Sequence, residues 1–332
     1  MAASWVGRLG LIAFGVVLAL VGLEVGLRIT HREPWYDRLV GDQLRQGTVA
    51  YRENADRLRD RDYDAKPAGV RRILILGDSF TYGSGVPDED AVFPRLVERE
   101  LNRSFHLPGV DGFEVLNGGL PGSLTAAWVR LWRRVADDFD PDVVLIVFFL
   151  RDGTRTNTSG QFFGSIRRQV VRRNARSSLY AVSYIYRAVR DALDRQAVGD
   201  VYARAITDSY LGSDEQKEEW ALAQRHLRQL RNAARQRGAT VGLVVFPILL
   251  DLDDRYPFAP VCDEITSFAR ANHIPVLSLL PAFLGQDAPD LWVSPFNQHP
   301  NARAHAIAAA AITPFVETLL KRHEARTARG TS

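Results

Sequence analysis

The chain has 332 residues, of which 46% are hydrophobic and 24% charged, so it has the composition of a globular protein with a sizeable core. Its formal net charge of only +3 disfavours a nucleic-acid partner. The single cysteine, Cys262, excludes an internal disulfide, and no Cys/His cluster has zinc-ligand spacing, so neither a structural metal nor a cofactor is predicted.

The amino-terminal segment is strongly apolar. Residues 9–23 carry no charge, and past Glu24 the apolar character continues briefly, which makes the run about one bilayer long. An uncleaved signal anchor, a cleaved signal peptide and a buried helix are all open interpretations. We favour the anchor because no Ala-x-Ala site closes the stretch, and because Arg8 and the terminal amine favour an inside amino terminus. This predicts a single-pass cell-membrane protein that contacts the membrane through residues 9–27, with its main domain outside the cytoplasm.

The pattern of the chain changes after this segment, giving three predicted parts: an anchor at 1–30, a charged stalk or peripheral segment at 31–70, and a domain at 71–325 with a helical insertion at about 153–212. Within the domain, short β-type apolar runs occur at 73–76, 113–116, 143–149, 241–246 and 275–280. Helix-like stretches occur at about 94–104, 123–139, 177–196, 214–237, 263–273 and 301–322. This alternation predicts an α/β fold with a five-stranded parallel sheet covered on both faces.

The predicted insertion has two features of its own. It contains a basic run without acids, made up of Arg167, Arg168, Arg172, Arg173 and Arg176. Such a run is either a solvated helix face or a contact for anionic lipid headgroups or an acidic glycan. It also contains an apolar-aromatic stripe at helical spacing, which we predict to be core rather than a lipid-binding face: Leu179, Tyr180, Tyr184, Ile185 and Ala188.

Three polar blocks follow predicted strands, where ligands of open α/β sheets bind. Ser79 sits at a turn after the first strand, suited to a nucleophile whose own N–H stabilises an oxyanion. Gly122 follows the second strand and offers a second N–H, while His299 precedes the last helix and can act as a base. Each has a structural alternative, since Ser79 and His299 also suit helix caps and Gly122 suits a turn.

These blocks, in this order and spacing, resemble the SGNH/GDSL hydrolases. The closest matches are the run from Gly77 to Gly83 (GDSFTYG) and His299-Pro300-Asn301 followed by His305, which we otherwise expect to pack a helix. The resemblance implies a flavodoxin-like three-layer α/β/α sandwich and a Ser79–His299 catalytic pair. It also implies an oxyanion hole built from Ser79, Gly122 and an asparagine of a third block. The end of the apolar segment also looks like the anchors that precede such domains in bacterial proteins. It has the pattern Leu-x-x-x-Glu-x-x-x-Arg, formed by Leu20, Glu24 and Arg28.

Two positions depart from the family pattern. Arg151 stands in the place of the oxyanion asparagine, and is predicted either to bind an oxyanion or a substrate anion, or to form a salt bridge with a residue such as Asp152. Asp78, which matches the family pattern, is predicted to be structural rather than catalytic and to point away from the cleft. The acid expected shortly before His299 is missing, which leaves the Asn297 carbonyl or a backbone carbonyl to orient the imidazole. The remote carboxylates Asp287 and Asp290 are further candidates for that role.

These residues predict a serine ester hydrolase that acts on O-acyl groups of an extracytoplasmic small molecule or glycan, such as a polysaccharide. An O-acyltransferase would use the same residues, with a sugar hydroxyl in place of water. The missing acid and asparagine keep a third interpretation open, namely a non-catalytic glycan-binding or assembly protein on a degenerate hydrolase scaffold. No protein partner is indicated.

Overall fold

The computed structural model describes residues 2–30, 51–154, 169–295 and 297–330. The chain divides into two compact units. The first comprises residues 1–42 and 158–202, and the second comprises residues 43–157 and 203–332.

A five-stranded parallel sheet forms the centre of the second unit, with the order β2-β1-β3-β4-β5. Its strands are β1 (Val70–Gly77), β2 (Gly112–Gly119), β3 (Val143–Phe149), β4 (Thr240–Phe246) and β5 (Val276–Ser278). The central strand β3 is buried at every residue, as its continuous apolar sequence requires. The predicted sheet is confirmed. A further antiparallel pair, β6 (Trp292–Ser294) and β7 (Asn297–Pro300), was not predicted.

Helices follow the strands in the alternation that the sequence predicts. In chain order they are α1 (Ala2–Thr30), α2 (Ser79–Tyr82), α3 (Phe93–Ser104), α4 (Thr125–Phe139), α5 (Ser178–Val182), α6 (Tyr184–Leu211), α7 (Glu218–Gln236), α8 (Ala259–Ala271), α9 (Leu280–Phe283) and α10 (Ala302–Gly330). Within the second unit, α3 packs against α10, α4 packs against α7, and α8 lies against β4 and β5. With right-handed crossovers this order puts α3 and α10 on one face of the sheet and α4, α7 and α8 on the other. The α/β fold with covered faces is confirmed.

Residues 51–69, which lie in the segment predicted as a stalk or peripheral layer at 31–70, belong to the second unit. In the described part of that segment, Leu58, Arg59 and Asp60 are all buried. The Asp60 carboxylate accepts the backbone N–H of Asn117 on β2 at 2.7 Å. Alternating charge suggested a solvated segment, but here the charged groups are buried because backbone groups and opposite charges pair with them.

The first unit contains α1, the helical residues 169–175, α5 and α6 as far as residue 202. Residues Gly7–Thr30 of α1 form the one helix among the described residues that is long and apolar enough to span a membrane or serve as a signal anchor. The predicted single helix at 177–196 is instead two helices that meet at Ser183. The predicted core stripe is wrong for Leu179, which is 57% exposed, although Tyr180 is buried.

Candidate active site

Ser79 is the first residue of α2, directly after β1. Asp78 caps this short helix, since its carboxylate accepts the N–H of Phe80 at 2.8 Å, and Gly83 ends the helix with a φ of 80°. Gly77 lets the chain turn this tightly, because a Cβ there would lie 2.0 Å from the Thr81 hydroxyl. Being at the start of the helix, the Ser79 N–H has no intrahelical acceptor, and the side chain is buried at the carboxyl edge of the sheet.

His299 is carried by the β6–β7 hairpin rather than by the main sheet. Trp292 pairs with Pro300 across the hairpin, and Asn301 fixes its end by donating to the carbonyls of Asp290 and Trp292 at 2.8 and 3.0 Å. The imidazole Nε2 lies 3.0 Å from Ser79 Oγ. The structure therefore brings together the two residues predicted as nucleophile and base, which are 220 positions apart in the chain.

The other imidazole nitrogen faces Asn297. Its side-chain Oδ1 lies 2.5 Å from His299 Nδ1 and also accepts the His299 backbone N–H at 3.1 Å. Because an amide oxygen only accepts hydrogen bonds, this assignment puts the ring proton on Nδ1 and leaves Nε2 to accept the Ser79 proton. Of the remote carboxylates, Asp290 pairs with Arg303 at 3.3 Å instead.

The imidazole lies in an apolar setting. The Phe80 ring stacks on Phe149 at 3.9 Å, meets Phe246 edge-on at 5.2 Å, and lies 5.6 Å from the His299 ring. Burial, with the nearby positive charge of Arg151 as the second cause, lowers the pKa of His299 to about 4. The imidazole is therefore neutral at neutral pH, the form that accepts a proton.

Arg151 lies in the 3₁₀ turn Leu150–Gly153 that follows β3. Its guanidinium donates to Asp78 Oδ2 at 3.2 Å, and the same oxygen lies 3.4 Å from Ser79 Oγ. Asp78 is thus buried and caps α2, as expected for a structural residue, but it also contacts Ser79 Oγ and Arg151, which the sequence analysis did not predict. Burial raises the pKa of the Asp78 carboxyl, and the charge of Arg151 opposes that rise.

Asp152, the residue suggested as a partner of Arg151, has a different role. One carboxylate oxygen accepts the N–H of Phe149 at 2.8 Å, whereas Oδ1 is buried without a hydrogen-bond partner among the described residues. Burial and the negative charge of Asp78 raise the pKa of Asp152 well above its usual value. Asp152 therefore closes the turn that presents Arg151, while Asp78 pairs with the guanidinium.

Two glycines at the end of β2 and in the turn beyond it serve different purposes. Gly119 allows β2 to approach α2, since a Cβ at this position would lie 2.1 Å from the N of Tyr82. Gly122 lies in the exposed turn beyond, with a φ of 69° that favours glycine. Its role as the second oxyanion donor stays a prediction.

The sequence analysis missed Arg59. Its buried guanidinium donates to the carbonyls of Tyr82, Gly83 and Val86 at 3.2, 2.7 and 2.6 Å, and lies 4.3 Å from the Tyr51 ring centroid. These bonds hold the loop that follows the nucleophile helix. One arginine in a charged segment gives no sequence signal for this role, because the groups that accept its hydrogen bonds are backbone carbonyls, which any residue carries.

Residues 75–307, more than half of the chain, match the model of the GDSL-like lipase/acylhydrolase family. The chain belongs to this family. The matched range contains both Ser79 and His299 and runs from β1 into α10. The resemblance drawn from the sequence is therefore confirmed at the level of the family.

Several solved structures resemble this chain at low identity. TesA is 17% identical and aligns over 75% of this chain and 99% of its own, with a TM-score of 0.45. A catalytic mutant of Axe2, an acetylxylan esterase from Geobacillus stearothermophilus, is 16% identical over 75% and 94%, with a TM-score of 0.45. A two-domain esterase active on acetylated mannans is 16% identical over 75% of this chain and 50% of its own, with a TM-score of 0.44. This chain thus spans half the length of that two-domain enzyme. No curated protein matches it.

Proposed function

We propose that this member of the family is a serine ester hydrolase that removes O-acyl groups, with Ser79 as nucleophile and His299 as base. The observation that carries the proposal is the continuous chain of contacts from Asn297 Oδ1 to His299 Nδ1 at 2.5 Å and from His299 Nε2 to Ser79 Oγ at 3.0 Å. A nucleophile, a base and a group that orients the base are the parts that acyl transfer through serine requires.

The proposed reaction has two halves. Ser79 Oγ attacks the acyl carbonyl carbon while His299 Nε2 takes the hydroxyl proton, and the tetrahedral intermediate then expels the alcohol, which receives that proton. Water next gives a proton to His299 and attacks the acyl-serine, which releases the acid and restores Ser79. If a sugar hydroxyl replaces water in the second half, the same residues perform an O-acyl transfer.

The oxyanion of each intermediate needs fixed donors. The N–H of Ser79 is the first proposed donor, because the first turn of α2 leaves it without an intrahelical acceptor. We assign the second to Gly122 and a third, charged donor to Arg151, which occupies the position where the family has asparagine. The contact of Arg151 with Asp78 holds the guanidinium near Ser79, since Asp78 Oδ2 contacts both residues.

Asn297 gives the site a particular weakness. A neutral amide fixes the imidazole tautomer but adds no negative charge to stabilise the imidazolium that forms when Ser79 attacks. Replacing the acid by asparagine in a serine protease lowers turnover about 10⁴-fold, because the tautomer is also wrong there. Asn297 presents its oxygen to Nδ1, so the tautomer is correct and we expect a smaller loss.

The burial of Ser79 and the apolar amino terminus support the substrate class and the location that we propose. Ser79 is only 4% exposed, which favours a short acyl group such as acetyl on a small molecule or glycan. We place α1 across the cell membrane as a signal anchor, with the hydrolase unit outside the cytoplasm, because its 24-residue apolar stretch is long enough to cross a bilayer.

The test uses the full chain in detergent with a fluorophosphonate probe and an activated acetyl ester, beside Ser79→Ala and His299→Ala. We expect labelling and turnover for the wild type and neither for Ser79→Ala. A folded wild type that neither labels nor turns over would sink the enzyme proposal and favour the non-catalytic glycan-binding scaffold. Adding an acceptor sugar separates the two enzymes, since a transferase forms acylated sugar where a hydrolase releases free acid.

A further inference from the structure

An unpartnered apolar stripe lies on α5 and the first half of α6. Its two members on α5 are three residues apart, and its three members on α6 are three and four residues apart, so within each helix they lie on one face. Their exposed fractions are 57, 61, 38, 56 and 52%, in the order Leu179, Val182, Tyr186, Val189 and Leu193. The polar residues expected at such solvent-facing positions of a soluble helix are absent from this face.

In the same segment the acidic side chains are buried, and arginines supply the charge at the surface. Residues 169–195 contain six arginines and two acids, Asp191 and Asp194. Both acids are buried: Asp191 accepts the Tyr180 hydroxyl at 2.7 Å, and Asp194 pairs with Arg190 at 3.2 Å and with Arg173. The charged side chains on the accessible surface of this segment are therefore basic.

The junction between α5 and α6 is fixed to α1. Glu24 of α1 accepts the N–H groups of Tyr184 and Ile185 at 2.8 and 3.0 Å, which are helix-start groups without intrahelical acceptors. Arg28 donates to the Val182 carbonyl at 2.8 Å, and its guanidinium lies 5.2 Å from the Tyr184 ring centroid. An acid inside an apolar helix is thus satisfied by the segment that carries the stripe.

We infer that α5 and the first half of α6 lie in the interface of the bilayer that α1 crosses, with the stripe among the acyl chains and the arginines at anionic headgroups. The inference rests on the membrane placement of α1 proposed above. Glu24 lies six residues before the end of α1, which is about 9 Å along the helix axis. With the end of α1 at the membrane surface, Glu24 lies at the roughly 5–10 Å depth to which interfacial helices bury their apolar faces.

Lipid accounts for this surface better than a second copy of the chain. The stripe is joined by Glu24 to a helix whose own apolar side chains are exposed, among them Leu20 and Val25 at 48 and 52%. Anionic headgroups supply the negative charge that the arginines lack. Two copies packed through the stripe would place arginines near arginines, because residues 169–195 have no acid outside the buried pair.

The experiment uses the full chain in vesicles of phosphatidylcholine and phosphatidylglycerol, with a polarity-sensitive fluorophore on a single introduced cysteine and nitroxide lipids as quenchers. The variants are Val182→Cys and Leu193→Cys, with Val17→Cys in α1 as the membrane reference and Asp214→Cys, a fully exposed site of the hydrolase unit, as the matched control. Native Cys262 stays unlabelled because it is buried, and burial raises the pKa of its thiol to about 12. Circular dichroism checks that each variant is folded.

We expect a blue shift and quenching at Val182 and Leu193 that approach those at Val17, with neither at Asp214. If Val17 is quenched and the two stripe positions are not, the inference is overturned while the anchor stands. An unquenched Val17 rejects the anchor and the inference together. Crosslinking between chains through the stripe cysteines would also overturn the inference, because a second copy would then cover this face.

Discussion

Arg151 and the buried Asp78 form an ion pair of 3.2 Å beside the candidate nucleophile, and the Asp78 oxygen that accepts from Arg151 also lies 3.4 Å from Ser79 Oγ. Each charge limits the cost of burying the other. The pair also has an electrostatic effect on the base, since Arg151 lowers the pKa of His299. The residue that replaces the family's asparagine thus affects both halves of the proposed catalytic pair.

Removing the guanidinium of Arg151 should therefore change both the turnover and the pH dependence of kcat/KM. For Arg151→Ala we expect kcat to fall by about 10²-fold, the usual effect of losing one oxyanion donor. The pKa of His299 should rise, because a positive charge has been removed, and the acid limb of kcat/KM should move to higher pH. Arg151→Asn, which restores the family's amide, should recover part of kcat and keep the shifted limb. If turnover is the same in all three proteins, Arg151 has no part in the oxyanion hole.

Introducing the missing acid should strengthen the base. In Asn297→Asp a carboxylate replaces the oxygen that lies 2.5 Å from His299 Nδ1, which stabilises the imidazolium and raises the pKa of His299. We expect kcat to increase about tenfold or more at pH 7. Asn297→Ala, the matched control, removes the orienting oxygen and should lower kcat. Steady-state kinetics of the two variants check this, and a fall in both would mean that the site does not tolerate a carboxylate.

The wild type should remain active at unusually low pH. With a pKa of about 4 for His299, the imidazole stays neutral and able to accept a proton well below pH 6. We expect kcat/KM to be flat from neutral pH down to about 5 and to fall by half near pH 4. A pH profile with a stable acetyl ester measures this. A half-point near 6.5, the ordinary histidine value, would show that partial burial and the charge of Arg151 do not lower the pKa of His299.

His305 should make the folded state sensitive to acid. It is fully buried, its Nδ1 accepts the Phe93 N–H at 3.2 Å, and burial lowers its pKa to about 3. Since the folded-state pKa lies below the unfolded value of 6.5, this stabilisation is present above pH 6.5 and is lost as the pH falls toward 3. The expected slope is about 1.4 kcal/mol per pH unit for each such histidine.

The control for this effect is His305→Asn, which keeps a hydrogen-bond acceptor but does not titrate. It should be less stable at pH 7, because it loses ring volume in the core, and should show a shallower decline between pH 6.5 and 4. Urea unfolding at several pH values gives the slopes. Equal slopes for the variant and the wild type would show that His305 does not couple to acid unfolding.

Arg59 should stabilise the loop behind the nucleophile. Arg59→Ala leaves the carbonyls of Tyr82, Gly83 and Val86 without their charged donor, so we expect a loss of roughly 3 kcal/mol or more in the free energy of unfolding. Turnover should fall as well, because Gly83 ends the helix that positions Ser79. Arg59→Lys keeps the charge but cannot reach several carbonyls at once, so its stability should be intermediate. Thermal unfolding measures the Tm of the wild type and the two variants. An unchanged Tm for Arg59→Ala would refute this role.

The sheet was predictable because its strands are buried on both faces and therefore appear as continuous apolar runs, as in Val143–Phe149. The β6–β7 hairpin was not, because Trp292–Ser294 and Asn297–Pro300 are short and mix polar with apolar residues. The motifs around Ser79 and His299 predicted that these two residues come together, as the distance of 3.0 Å between His299 Nε2 and Ser79 Oγ shows. The partner of Arg151 was not indicated, because an ion pair across 73 positions depends on side-chain packing that periodicity does not encode.

Helix boundaries were likewise predictable only where neighbouring residues in the sequence set them. The start of α3 lies one residue from its predicted position, because the apolar spacing and Pro94 mark it. The predicted helix at 177–196 missed the break at Ser183, where the N–H groups that follow are capped by Glu24, a residue 160 positions away. The burial of Arg59 and Asp60 was missed for a related reason, since charge in the sequence does not indicate which groups find partners.

Ser79 leaves the first strand of the sheet, while His299 belongs to the last hairpin and is set in place before α10 begins. During synthesis, which proceeds from the amino terminus, the nucleophile is therefore made long before its base. A nascent chain cannot bring His299 Nε2 to Ser79 Oγ until residue 299 has been made and β6 and β7 have paired. In the proposed mechanism, hydrolytic competence is therefore one of the last properties that the folding chain acquires.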